Sequence, residues 1–277
     1  GHRWWECPAN MSIFRSVLGT TVLPFDPRRL APVTREYGLP TWLPAVLEWR
    51  RSWPAQAAPW PGCTGEHCFV DGSVADGGDP HLRRAAAAVV WMTATGWAGW
   101  TGGVPGVQSV GRAELYACLA GLGAGPPGTL WCVNLAVVHG LRELQAAGRP
   151  SWAQRQGPMA DLWALASTTL AARPGWQFQW LPSLRSEVEA ALLGVPAFAW
   201  VGNQKADAAA RVAVAGLRAP RPLRTARAQQ LHHEMLAARV VAVVQRDLLA
   251  ARPKQATGAA VKSRKRRMPA VPGPPAR

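Results

Sequence analysis

One short block constrains this chain more than any other: Phe69-Val70-Asp71-Gly72-Ser73, an apolar run that ends in a carboxylate and two small residues. The residues before it and the alternating stretch Ala85 to Met92 read as paired strands, which carries Asp71 near the centre of the first. An ionised carboxylate in such a place loses its hydration and requires a cation or hydrogen-bond donors in exchange. Asp-Gly is also a common hairpin dipeptide, so a turn at Asp71-Gly72 is the competing reading of the block alone.

Three further blocks stand downstream. Arg112-Ala113-Glu114-Leu115-Tyr116-Ala117 opens a helical pattern and puts Glu114 in its first turn. Trp131-Cys132-Val133-Asn134 closes a short apolar strand. Gly202-Asn203-Gln204-Lys205-Ala206-Asp207-Ala208-Ala209-Ala210 begins another helix, with Asp207 near its start.

Taken singly, Glu114 reads as a favourable charge at a helix N-terminus and Asp207 as a solvated helix residue. Together, in this order and at this spacing, the four blocks resemble those of the type 1 ribonuclease H family over roughly Cys68 to Val214, about half the chain. The resemblance implies an α/β ribonuclease H-like fold: a five-stranded mixed sheet, its first three strands antiparallel, flanked by helices. It also implies hydrolysis of the RNA strand of RNA–DNA hybrids, with Asp71 bridging two ions, Glu114 on the second and Asp207 on the first. Two hard cations about 4 Å apart would activate water and steady the leaving oxygen. Mg2+ or Mn2+ is the implied cofactor.

Two departures follow from the same comparison. Where the family has a third-block aspartate, this chain has Asn134, whose amide oxygen brings no negative charge, so weak or absent cleavage is expected. The position matching the family's loop histidine is Leu184. Gly72, Ser73, Asn203 and Gln204 stand where the resemblance puts contacts to the hybrid, although Ser73 and Asn203 equally suit helix caps.

Around these blocks the pattern is regular. Strands are expected to Gly72, over Arg84 to Met92 and near Trp97 to Val104, then a helix over Arg112 to Leu122 stopped by Gly125-Pro126-Pro127-Gly128. Thr129 to Asn134 reads as a strand, Ala136 to Ala147 and Pro158 to Ala172 as helices, and Trp176 to Leu181 as the fifth strand. A short helix capped by Ser186 and one beginning at Gly202 follow, and Arg227 to Ala251 reads as a long helix. The expected organisation is a Pro- and Trp-rich lead-in over 1–65 with a short helix from Thr41 to Arg51, the catalytic-type domain over 66–216, a helical extension over 217–252, and a basic, disordered tail over 253–277.

Charge follows that division. Residues 71–216 carry ten basic and nine acidic side chains, whereas 217–277 carry fourteen and two, so most of the net +15 lies at the end of the chain. The tail suits salt-sensitive contact with phosphates, and Lys262 to Arg267 also suits a nuclear import signal. With 27 Arg against 4 Lys and a single Ile, coding-sequence bias is a competing source of the arginines. Five cysteines without framework spacing argue against a disulfide scaffold, and Cys63, His67 and Cys68 lack a second ligand pair for zinc. No apolar run approaches a membrane span, so an intracellular, reducing setting without a membrane partner is expected.

Three functions follow as expectations: an impaired RNA–DNA hybrid endonuclease, cut from a retroelement polyprotein with a reverse transcriptase; a silent nucleic-acid-binding or scaffolding remnant; or a decayed element copy.

Overall fold

The computed structural model describes residues 65–183 and 186–251, together with Val17, Val46, Glu48, Trp49 and Gly62, with the side chains of 247–251 excepted. The tail over 253–277, Cys7, Cys63, Leu184 and most of the expected helix from Thr41 to Arg51 lie outside the described residues. The chain divides into two compact units, 42–229 and 1–41 with 230–277.

In the first unit, strands β1 (His67–Ala75), β2 (Arg84–Thr93) and β3 (Gly96–Gly103) form an antiparallel meander. Gly96 takes φ 125° in the tight turn between β2 and β3, a conformation that L side chains rarely adopt. Helix α1 (Val110–Ala124) follows and carries the chain across to β4 (Thr129–Cys132), which pairs parallel to β1 from His67↔Thr129 to Val70↔Cys132. Helices α2 (Leu135–Ala147), α3 (Trp152–Gln156) and α4 (Ala160–Ala172) lead to β5 (Gln177–Trp180), parallel to β4. The sheet order is therefore β3-β2-β1-β4-β5, the five-stranded mixed sheet expected.

β1 is hydrogen-bonded on both edges, so its side chains are buried on both faces. Cys68 and Val70 join the main core with Leu115, Leu119, Leu122, Leu130, Val138, Leu141, Ala166 and Phe178, which places α1, α2 and α4 on one face. Phe69 points to the other face and packs with Val90, Leu181, Ala199 and Ala206 under helix α6 (Ala197–Gly216). The alanine run Ala85–Ala88 is wholly buried, and its small side chains let helices approach from both sides.

Some expectations are corrected here. The competing turn at Asp71-Gly72 is excluded and the expected strand is present, although β1 runs past Gly72 to Ala75. A β-carbon on Gly72 would sit 2.5 Å from Glu114 N and 2.6 Å from Ala113 C, so only glycine lets α1 close onto this strand. Gly202 does not open its helix either; α6 starts five residues earlier, at Ala197, and Gly202 is buried within it. A β-carbon there would meet the Phe69 ring at 2.4 Å, so this glycine serves close helix-to-strand packing, not helix initiation. A separate α3, with a Ser151–Gln154 capping box, precedes α4 where one helix from Pro158 was expected. Helix α5 (Glu187–Leu192) has its expected Ser186 cap.

Helix α7 (Arg221–Ala251) continues the chain. Within the first unit its opening turns and the preceding Arg218 are tied to the β1–β2 connection: Arg218 Nε meets Asp76 Oδ1 at 3.2 Å, and Arg227 Nε meets Asp79 Oδ2 at 3.1 Å. Among the described residues no helix is long and apolar enough to cross a membrane.

One buried charge sets where α1 begins. Ser109 caps the helix by accepting from Arg112 N. The Arg112 side chain is 4% exposed; its Nε donates to Pro105 O at 2.7 Å, and its two terminal nitrogens clasp the Asp161 carboxylate of α4. The guanidinium holds the Asp161 carboxyl below the usual carboxylate range, mainly by hydrogen bonding. Arg112→Ala leaves the part-buried Pro105 carbonyl without its donor while water takes over the exposed Asp161 carboxylate, so unfolding in denaturant should show a loss of about 1–2 kcal/mol. An Arg112→Ala protein as stable as the parent would mean that the clasp is not what seats α1.

Candidate active site

Of the expected acidic residues, Glu114 and Asp207 each lie within electrostatic reach of Asp71. Asp71 is the fifth residue of β1, one position beyond Val70↔Cys132, the last β1–β4 pair, so it lies where β4 ends beside the central strand. Open α/β sheets present their ligand sites at such carboxyl ends of parallel strands. Glu114 comes from the second turn of α1, not the first, because the Ser109 cap starts the helix one residue before Gly111. Asp207 is in the middle of α6, not at its start. Asp71 and Glu114 are nearly buried, at 8% and 4% exposure.

These carboxyls act on one another. Glu114 and the Asp207 charge both bear on Asp71, and the backbone at Gly72 lies close enough to favour the charged forms of Asp71 and Glu114. Burial, followed by the Asp207 charge, raises the Asp71 carboxyl to about 6, against the pull of Gly72, Arg211 and Glu114. Burial, followed by the Cys132 thiol and the Asp71 charge, raises Glu114 to about 10. Of the two, Glu114 is held more strongly in its protonated form.

The fourth position is occupied otherwise. Asn134 is the N-cap of α2, its Oδ1 accepting from Val137 N at 3.2 Å. An aspartate could make the same cap and add a charge; the asparagine makes it without one. Cys132, two residues earlier, donates its thiol to Glu114 Oε2 at 3.6 Å and accepts from Asn134 N at 3.4 Å. Of the expected substrate-contacting residues, Gly72 forms the floor of the site through its lack of a side chain. Ser73 is half-buried in β1, opposite Ala86. Asn203 and Gln204 are half-buried in the interior of α6, with Asn203 one turn before Asp207. Neither Ser73 nor Asn203 is a helix cap.

Two residues belong to the site that the blocks did not mark. Arg211 Nε pairs with Asp207 Oδ1 at 2.9 Å and its charge also reaches Asp71; the i,i+4 spacing on a helix was the available signal. Cys132 reads in sequence only as a core residue, and its contact with Glu114 is a tertiary fact.

The donor set suits a hard divalent cation in kind: buried carboxyls pushed upward by one another are what such a charge would relieve. It is not laid out in advance, since among the described residues no three His, Cys, Asp or Glu side chains stand as a ready metal-binding group. Glu114 is turned to Cys132 and Asp207 to Arg211. His67, from the Cys63/His67/Cys68 group, stacks against Phe198 at 4.9 Å, and Cys68 is in the core.

Among solved structures, the chain is similar to the RNase H domain of prototype foamy virus in solution, at 17% identity and a TM-score of 0.40, over 53% of this chain and 93% of that one. It is similar to the prototype foamy virus protease-reverse transcriptase at 16% identity and a TM-score of 0.38, over 56% of this chain and 21% of that one. RNase H1 of the archaeon Halobacterium salinarum matches at 19% identity and a TM-score of 0.35, over 54% of this chain and 97% of that one. No family model and no curated protein matches the sequence. Independently of these matches, strand order and register make the fold ribonuclease H-like.

A carboxyl whose folded pKa is raised lowers stability as pH climbs from its unfolded to its folded value. For Glu114 that window runs from 4.5 to about 10, and for Asp71 from 3.8 to about 6. In metal-free protein, Glu114→Gln keeps a donor without the proton loss, and should stabilise by about 2 kcal/mol at pH 8 and by nothing measurable at pH 4. Melting curves across that range check it; a gain independent of pH would show that Glu114 is not held protonated.

Proposed function

We propose that this chain is a nucleic-acid-binding domain of ribonuclease H type, whose site hydrolyses the RNA strand of RNA–DNA hybrids weakly. What supports this reading is that Asp71, in the central strand, feels the charge of Asp207 and lies beside Glu114, each from a separate helix. Asp71, Glu114 and Asp207 would hold the divalent cation, Mg2+ or Mn2+, which supplies an activated water and neutralises charge on the phosphate. Around it the chain's own groups have separable tasks. The missing side chain of Gly72 lets α1 close onto β1, which sets Glu114 near Asp71. Asn203 and Gln204, close before Asp207 on α6, supply polar groups for the same strand.

Asn134 favours impairment: the oxygen that an aspartate would offer as a charged ligand here is neutral and caps α2. The second reading, a silent binding or scaffolding remnant, draws on the same residue and on the pairing of Asp207 with Arg211. Partnership with a reverse transcriptase in a longer polyprotein is part of the proposal.

With Mn2+ and a labelled hybrid, the Asn134→Asp protein should cleave at least about tenfold faster than the parent, because a charged ligand is restored at no cost to the cap. Equal rates would place the missing charge elsewhere. Removing residues 253–277, which hold seven basic and no acidic side chains, should flatten the dependence of hybrid affinity on salt. An unchanged slope would exclude the tail from phosphate contact.

A further inference from the structure

The first turns of α7 carry more positive charge than the protein itself answers. From Ala208 to His233 the chain holds five arginines and no acidic residue. Four of them, Arg218, Arg221, Arg224 and Arg227, recur at every third position, and two of these meet the β1–β2 connection. That connection adds Arg83, which donates to Gly77 O. Against these arginines stand Asp76 and Asp79, and both are taken: Asp76, 9% exposed, by Arg218, and Asp79, 14% exposed, by the buried Arg227. Arg221 is exposed, and its side chain has no hydrogen bond or ion pair among the described residues. Half-buried Arg224 reaches only the Ala219 carbonyl, at 3.1 Å.

Stability does not explain this placement. Arg221 opens α7, at the end where the helix dipole favours negative charge, and no acid in the first turn offsets it. Coding bias accounts for arginine over lysine, but not for a three-residue period or for the missing acids. Planar guanidinium groups in a row engage phosphate oxygens well. A membrane-surface element would pair such a row with large apolar side chains facing outward. Among the described residues none lies exposed between Val212 and Met235.

We propose that Arg218, Arg221 and Arg224 form a ridge that binds the phosphate backbone of a nucleic acid, apart from the carboxyl cluster. Asp76, which Arg218 meets, is five residues beyond Asp71, so at most about 17 Å of extended chain separates the two. The ridge presupposes the nucleic-acid-binding part of the function proposed above, and needs neither metal nor cleavage.

Fluorescence anisotropy of a labelled RNA–DNA hybrid, titrated with the full chain from low to high salt, tests it. The double variant Arg221→Gln/Arg224→Gln should bind about three- to tenfold more weakly at low salt, and its slope of log affinity against log salt should fall by about 1 to 2. Arg221→Gln alone, whose side chain has no partner in the fold to lose, should show about half that change in slope. Arg221→Lys/Arg224→Lys, which keeps the charge, should stay within about twofold of the parent. Phosphates carry no sequence, so a DNA duplex of equal length should lose as much affinity as the hybrid. Parental affinity and slope in both glutamine variants overturn the ridge and leave nucleic-acid binding standing. A loss on phosphatidylserine vesicles with none on the hybrid assigns the arginines to a lipid surface and overturns it equally. No salt-dependent binding of hybrid by the parent overturns the nucleic-acid reading, and the ridge with it.

Discussion

The site exists because a helix can lie against a strand without a side chain between them. At Gly72 the backbone of β1 and the start of α1 approach so closely that even a methyl group would overlap Glu114 N. That contact sets Glu114 beside Asp71. Burying two acids together is costly, and the chain meets the cost by leaving one of them protonated. The Arg112 clasp on Asp161 holds α1 in register from outside, far from the carboxyls it indirectly positions.

A second close approach supports the opposite face. Gly202 lies on the Phe69 ring, which draws α6 down to the sheet and brings Asp207 within electrostatic range of Asp71. Both residues flanking Asp71 in function are therefore delivered by glycine-mediated contacts, one from each layer of helices. The carboxyl cluster is a consequence of a three-layer packing whose tightest points are two glycines.

Asn134 makes the hydrogen bond that begins α2 with a neutral side chain, so the helix start needs no charge at this position. The Cys132 thiol against Glu114, and Arg211 against Asp207, each engage an oxygen of the cluster. Both oxygens therefore already have partners within the protein.

Much was legible beforehand. Alternation of apolar residues marked β1 to β3, the Ser186 cap marked α5, and the order of the acidic blocks marked the fold, because these are local or serial properties that a chain carries in one dimension. The errors fell where neighbours decide. Gly202 looked like a helix start, and Asp71-Gly72 left a turn open beside the strand, because glycine breaks regular structure unless tight packing requires its missing side chain. Only the folded chain supplies that packing, through Ala113 and Glu114 at one position and Phe69 at the other. The sequence by itself determined which residues carry charge and which strands pair in what order. The tertiary structure decided which carboxyl keeps its proton and which oxygens are already engaged, since desolvation and charge coupling depend on distances that no spacing along the chain encodes.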